Sequence, residues 1–129
     1  RTSVFEPAVT RDHTERMFGT MGVEVSTAEG WIGIEPGQKL TATDIEVAGD
    51  LSSAAFIILA VLLAESAEVC ITGVGINPTR TGVIDILHAM GADISLENTR
   101  ELGREPVADL RVRSSQLRGI EVDPALVSL

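Results

Sequence analysis

From Ala54 to Ala64 the chain reads Ala-Ala-Phe-Ile-Ile-Leu-Ala-Val-Leu-Leu-Ala, without one polar side chain. Apolar residues fall on every face of a helix drawn through it, and a helix apolar all round belongs inside a core. The run is about half of the ~20 residues needed to cross a bilayer, so it reads as a buried rod rather than a membrane span. Asp50 stands where an N-cap acceptor is wanted, and Ser52 and Ser53 fall in the first turn, where backbone N–H groups lack intrahelical partners. The remaining residues are expected to wrap this helix.

At 129 residues the chain is one domain's worth. Only 3% of residues are aromatic against 44% hydrophobic, so the core must be built from Ile, Leu, Val, Ala and Met. A formal charge of −9 opposes nucleic acid and anionic membranes at long range. Cys70 is the only cysteine, which rules out an intrachain disulfide and a cysteine-based zinc site; it is expected on the core face of a strand. Arg-Thr-Ser-Val-Phe-Glu-Pro at the start has no apolar signal region, from which a cytoplasmic setting is expected. The missing initial Met and the apolar Val127-Ser128-Leu129 ending lead us to expect a piece of a longer protein.

Residues 10–22 read as a helix that Thr10 or Asp12 can cap and Gly22 terminates. Val23, Val25, Trp31, Ile32 and Ile34 alternate around an Ala-Glu-Gly turn, which predicts a hairpin. A strand over Thr41–Val47 is expected to feed the apolar helix. Glu68–Val74 is strand-like, and Val83, Ile84, Ile86, Leu87 and Met90 keep helical spacing up to Gly91. Ala92–Leu96 and Pro106–Arg113 predict a strand pair joined by a polar loop over Glu97–Glu105, with a short strand at Gly119–Val122.

An offset of 69 residues lays Thr10-Arg11 on Thr79-Arg80, Met21-Gly22 on Met90-Gly91 and Ser26 on Ser95. The chain therefore repeats a helix packed on a hairpin. We divide it at about residue 65, into repeated units over 1–65 and 66–129, and expect an α/β (α+β) fold with mixed sheets.

Each copy carries Thr-Arg at the head of a helix, where unpaired N–H groups, the positive end of the helix dipole and a guanidinium meet. That is an anion site in outline. The plainer reading pairs Arg11 with Asp12 or Glu15, and Arg80 with Asp85 or a carbonyl. His88 is explained by the dipole at a helix end, Asp50 by capping, and Arg111 and Arg113 by a solvated strand face. Neither His13 nor His88 has a second ligand at metal spacing. No phosphate loop, dinucleotide fingerprint or Ser-His-Asp order is present.

Five strings in order, Arg11-Asp12-His13-Thr14-Glu15-Arg16-Met17, Gly49-Asp50-Leu51-Ser52-Ser53-Ala54-Ala55-Phe56, Asn77-Pro78-Thr79-Arg80-Thr81-Gly82, Met90-Gly91-Ala92-Asp93-Ile94 and Pro106-Val107-Ala108-Asp109-Leu110-Arg111-Val112, resemble the bacterial enolpyruvyl-shikimate-phosphate synthases. Thr10 stands where that family usually has Ser, and Ala48 where Pro is common. The resemblance implies a two-domain enzyme built as an inside-out barrel. Each domain holds three β-α-β-α-β-β units around buried parallel helices. It implies transfer of the enolpyruvyl group of phosphoenolpyruvate to the 5-hydroxyl of shikimate-3-phosphate, in aromatic amino acid biosynthesis. Phosphate leaves through a tetrahedral intermediate, no metal or organic cofactor takes part, and glyphosate competes with phosphoenolpyruvate.

Carried onto this sequence, the resemblance makes Thr10 and Arg11 residues of the shikimate-3-phosphate site. It leaves Asp50, Asn77 and Arg80 structural and places no catalytic residue in the stretch. The chain is thus expected to bind part of the substrate, to be inactive alone, and to need the remaining segments of its parent chain as partners. A UDP-sugar enolpyruvyl transferase is the rival within the same architecture, and a non-catalytic acidic protein-binding module is the rival outside it.

Overall fold

The computed structural model describes residues 1–8, 10–123 and 126. The chain runs through β1 (Thr2–Phe5), α1 (His13–Thr20), β2 (Val25–Ala28), β3 (Trp31–Ile34), α2 (Leu51–Leu63), β4 (Glu68–Gly75), α3 (Gly82–Ala89), β5 (Asp93–Leu102) and β6 (Glu105–Arg113). Two three-stranded sheets result, ordered β1-β3-β2 and β4-β6-β5. Each is a β-α-β-β block whose last strand lies in the middle, so the two blocks share one topology. The α/β fold read from the sequence is the observed one.

The repeat holds hydrogen bond for hydrogen bond at the helix ends. Met21 N–H donates to Met17 O, Gly22 N–H to Gly19 O and Val23 N–H to Phe18 O. In the second block Met90 bonds Ile86, Gly91 bonds His88 and Ala92 bonds Leu87 in the same pattern. Gly22 (φ 83°) and Gly91 (φ 96°) both take the left-handed conformation that ends a helix with a Schellman bond.

Leu51, Ala54, Ile58, Val61 and Leu62 form the buried stripe of α2, against Val74 of β4 and Leu110 and Val112 of β6. Ile84 and Leu87 of α3 and Ile94 of β5 complete a wholly aliphatic core. The opposite face of α2 is open, with Phe56 78% and Leu63 73% exposed. The expectation of a rod wrapped on every side is therefore corrected: the described residues supply one sheet for α2 to lie on.

The mixed sheets are also corrected, since every named strand pair is antiparallel. Residues 41–47 form no strand, and the parallel contact with β4 is one bridge just beyond them, Gly49 beside Val74. Gly49 N–H donates to Gly73 O at 2.8 Å and Gly75 N–H to Gly49 O at 2.9 Å, which seats the entry to α2. β1 was not anticipated, and the expected strand over Gly119–Val122 is absent. The Val127–Leu129 ending lies outside the described residues.

The polar stretch 97–105 is mostly strand. β5 continues to Leu102 and turns at Gly103 (φ 53°) and Arg104 (φ 66°), a two-residue turn of the I′ kind that suits the twist of a hairpin. Its register shifts between Glu97 and Arg100, and that of β4 between Ile71 and Val74. Asp109 of the middle strand ties both irregularities. It accepts from Gly73 N–H at 2.8 Å, from Asn98 Nδ2 at 2.9 Å and from Arg100 Nη1 at 3.3 Å. Cys70 is exposed, not on the core face as expected. It shares the outer sheet face with Arg111, the partner opposite it in β6.

Packing makes the two faces of α2 unequal in a measurable way. Ile58→Ala should lower unfolding free energy by about 2–5 kcal/mol, whereas Phe56→Ala should change it by about 0.5 kcal/mol or less, both read from denaturant melts.

Candidate functional site

Asp50 caps α2 as expected. Its carboxylate accepts from Ser52 N–H at 3.2 Å, from Ser53 N–H at 3.0 Å and from Ser53 Oγ at 2.9 Å. These bonds to Ser53, ahead of the nearby Arg80 charge, hold the carboxyl below the usual aspartate range. Arg80 reaches back 30 residues in sequence to the same cap, with Nη2 2.9 Å from Asp50 Oδ1 and 2.6 Å from Ser52 Oγ. Arg80 is thus tied to Asp50, not to Asp85.

The first helix begins differently. Asp12 occupies the N-cap position of α1, yet its side chain caps nothing. One carboxylate oxygen accepts from Arg16 Nε at 2.9 Å, the other from Asn77 Nδ2 at 2.6 Å. Burial pushes the Asp12 carboxyl up, but the hydrogen bonds from Arg16 and Asn77 outweigh it and the group ends below its ordinary value. Next to it, His13 Nδ1 lies 2.7 Å from Glu105 Oε1, and the other ring nitrogen is buried without a partner. A carboxylate can only accept, so Nδ1 carries the proton of this bond.

Further along α1, Arg16 Nη1 donates to Arg104 O at 2.8 Å and Thr20 Oγ1 to Gly103 O at 2.7 Å. The β5–β6 turn therefore docks on α1 through carbonyls. Gly19 makes room for it, since a Cβ there would collide with the Arg104 side chain.

Between α1, the start of α2 and this turn lies a cavity of about 420 Å³. Met17, Ile45, Val47, Leu51 and Leu102 give it apolar walls, while His13, Asp50, Asn77, Arg80 and Glu105 contribute polar groups. Thr10 and Arg11 do not line it. They stand on the exposed loop just before its nearest wall, His13. Thr10 Oγ1 donates to Glu6 Oε1 at 2.7 Å. Among the described residues Arg11 makes no hydrogen bond or ion pair: of its two expected partners, Asp12 belongs to Arg16 and Asn77, and Glu15 does not pair with it.

Both copies of Thr-Arg precede their helices rather than start them, because α1 begins at His13 and α3 at Gly82. They have diverged in use: Arg80 is pinned and Arg11 is left over. The residues missed by sequence reading are Asp12 and Glu105 as partners of Asn77. Asn77 sits 65 residues from Asp12 and 28 from Glu105, and no local pattern signals such pairs. Arg111 and Arg113 lie on the solvent-facing side of β6 as expected, and they are ion-paired there: Arg111 grips Glu97 with two bonds, 2.6 and 2.9 Å, and both arginines reach Glu68. His88, placed at a helix end for the dipole, bonds Ile94 O at 2.9 Å. Among the described residues no group of three or more His, Cys, Asp or Glu is arranged to hold a metal ion.

Because Asp50 titrates lower when folded than unfolded, its contribution to stability is present above about pH 4, the unfolded value, and is lost as pH falls through the folded value. Asp50→Asn keeps a capping oxygen but cannot titrate. The wild-type advantage in melting temperature over this variant should be largest near neutrality and should narrow as pH drops from about 5 towards about 2. Thermal melts across that range check it.

Comparison with known proteins places this geometry. The family model described as EPSP synthase (3-phosphoshikimate 1-carboxyvinyltransferase) matches residues 1–127. The 3-phosphoshikimate 1-carboxyvinyltransferase of Hydrogenovibrio crunogenus is 53% identical over 99% of the chain, and that of Geotalea uraniireducens is 53% identical over 98%. The EPSP synthase structure from Acinetobacter baumannii superposes with a TM-score of 0.94 at 48% identity, covering 98% of the chain and 29% of its own. The chain spans 30% of the Hydrogenovibrio relative and 29% of the Geotalea one.

Proposed function

The chain belongs to the EPSP synthase family, and on that premise we propose that the protein it forms part of transfers the enolpyruvyl group of phosphoenolpyruvate to the 5-hydroxyl of shikimate-3-phosphate. The hydroxyl oxygen gives up its proton and bonds to the enol carbon as the methylene carbon gains a proton, and the tetrahedral adduct then collapses with loss of phosphate and of one methyl proton, which restores the double bond. In this reading the stretch itself supplies part of the shikimate-3-phosphate surface and no acid–base group. Thr10 and Arg11 are its binding residues, the hydroxyl and guanidinium orienting an anionic, hydroxylated substrate. The setting proposed is cytoplasmic, and among the described residues no helix is long and apolar enough to cross a membrane.

One observation carries the assignment of Arg11. It is an exposed guanidinium whose neighbouring carboxylate is already engaged, so its hydrogen-bonding fork is open to an incoming anion. The uncapped N-terminus of α1 adds unpaired N–H groups close by. Thr10 supports the reading less directly, since its hydroxyl donates to Glu6 but keeps acceptor capacity. We also propose that residues 1–65 and 66–129 are two repeated subdomain units. The common topology and the 69-residue offset of α1 and α3 support that division.

The open apolar face of α2, Phe56 with Ile57, Leu59 and Leu63, is consistent with a chain that finishes its packing on the remaining segments of its parent. Alone, the stretch is proposed to be inactive.

Titration with shikimate-3-phosphate, followed by backbone amide shifts, tests the site. Shifts should centre on Thr10, Arg11 and the first turn of α1. Arg11→Ala should weaken binding by about ten- to a hundredfold, the loss for one charge-assisted contact, and should abolish carboxyvinyl transfer when the missing segments are co-expressed. Shifts scattered over the surface, or full activity in Arg11→Ala, overturn the assignment.

A further inference from the structure

Asn77 is the least exposed polar residue of the second block, at 2%, and every hydrogen-bonding position of its amide is used. Nδ2 donates to Asp12 Oδ1 at 2.6 Å and to Glu105 Oε2 at 3.2 Å. Oδ1 accepts from Thr79 N–H at 2.9 Å and from Thr79 Oγ1 at 2.8 Å. An amide saturated on both ends has one orientation, because a flip would turn its oxygen towards two carboxylates and its N–H groups towards two donors.

The partners matter as much as the count. Asp12 follows Arg11 directly and gives up capping its own helix to reach Asn77. A side-chain cap stabilises a helix, so the diverted side chain marks a tertiary role set above local helix stability. On the other side of Arg11, Thr10 is held by Glu6. Arg11 is thus a free side chain between two tethered neighbours. The same turn that carries Asn77 reaches the start of α2. Arg80 N–H donates to Asn77 O at 2.8 Å, and the Arg80 side chain holds Asp50 and Ser52. One short turn, residues 77–80, therefore joins the head of α1 to the head of α2.

We propose that Asn77 is a positioning residue for substrate binding: its amide clamps Asp12 and Glu105 and so fixes the backbone from which Arg11 meets its anionic ligand. This rests on the reading of Arg11 given above and goes beyond it, since Asn77 itself touches no ligand. Asp12 pairs with Arg16 as well, but that pair lies within α1, and Arg16 reaches the second block separately, at Arg104 O. The bond that ties Asp12 itself, the residue next to Arg11, to the second block is the one from Asn77.

The test uses the whole 129-residue chain, with shikimate-3-phosphate as probe. Asn77→Asp replaces the donor by a carboxylate facing two others. It should weaken binding by about tenfold, the effect of one hydrogen bond, and erase the ligand-induced shift of the Arg11 Nε–H signal while circular dichroism keeps the wild-type helix content. Adding Asp12→Asn in the same chain puts a donor on the opposite side of that bond and should restore about threefold or more, together with the Arg11 signal.

Unchanged binding in Asn77→Asp, or no recovery in the double variant, overturns the clamp while Arg11→Ala still loses binding and the site assignment stands. If Asn77→Asp does not fold, Thr79→Val carries the test: it removes one bond that orients the amide and should weaken binding by about threefold, and wild-type affinity overturns the proposal. A wild-type chain that ignores the probe, or Arg11→Ala binding as wild type does, overturns the site and the clamp together.

Discussion

The first β-α-β-β block has almost no core of its own, and this fixes how the rest must be held. Among the described residues up to Asp50, Val23 is the only buried apolar side chain, and no residue of α1 is buried. Hydrophobic packing is non-directional and proportional to area, so a block with so little buried area cannot be aligned by it. Its attachment to the second block is instead a row of hydrogen bonds from α1: Asp12 to Asn77, His13 to Glu105, Arg16 to Arg104 O and Thr20 to Gly103 O. Each contributes about 1 kcal/mol net, and each weakens steeply when its angle is lost. The joint is therefore weak in total but narrow in geometry, which is what a surface that must present a loop in one place requires.

The second block inverts these proportions. Ile58 and Leu62 of α2, which lies on its sheet, and its own Leu110 and Val112 are fully buried and carry the stability, while its polar groups correct the sheet locally. Asp109 is the clearest case, sitting on the middle strand and serving an irregularity on each neighbour. The hydrogen bond from Asn98 leads the bonds that keep its carboxyl low, with those from Gly73 and Arg100 behind. A strand interrupted on both sides stays in register because the acceptor lies between the two interruptions.

What could be read from the sequence follows the range of the forces involved. The capped start of α2, the glycine-terminated ends of α1 and α3 and the 69-residue repeat are local and were legible. Residues 97–102 read as part of a polar loop because Glu97, Asn98, Thr99, Arg100 and Glu101 show no alternation. They pair nevertheless, since β6 and the turn at Gly103 supply the register. The stretch 41–47 alternates like a strand and is not one, because pairing needs a neighbour and β4 meets the chain only beyond it, in the single bridge at Gly49. Cys70 lies outside because a strand's two faces cannot be ranked until the helix that covers one of them is placed. At the site, the Arg-bearing loop was legible as a motif, whereas Asp12, Asn77 and Glu105 meet only through the folded topology.

The acidity of the chain sharpens the case for Arg11 rather than weakening it. A formal charge of −9 repels an anion at long range, but charges more than about 10 Å apart are largely screened at ordinary ionic strength, so the approach is decided by what surrounds the loop. There the nearest carboxylate, Asp12, is occupied by a guanidinium and an amide, and Glu105 is shared by His13 and Asn77. Arg80, the duplicate of Arg11, shows the alternative outcome: with Asp50 and Ser52 in reach, its charge is spent inside the fold. The two motifs differ in whether an acid holds the arginine: Asp50 holds Arg80, and among the described residues none holds Arg11. Asn77 and Arg16 together engage Asp12, and on the reading proposed above this leaves the Arg11 guanidinium, which makes no ion pair among the described residues, open to an anionic ligand.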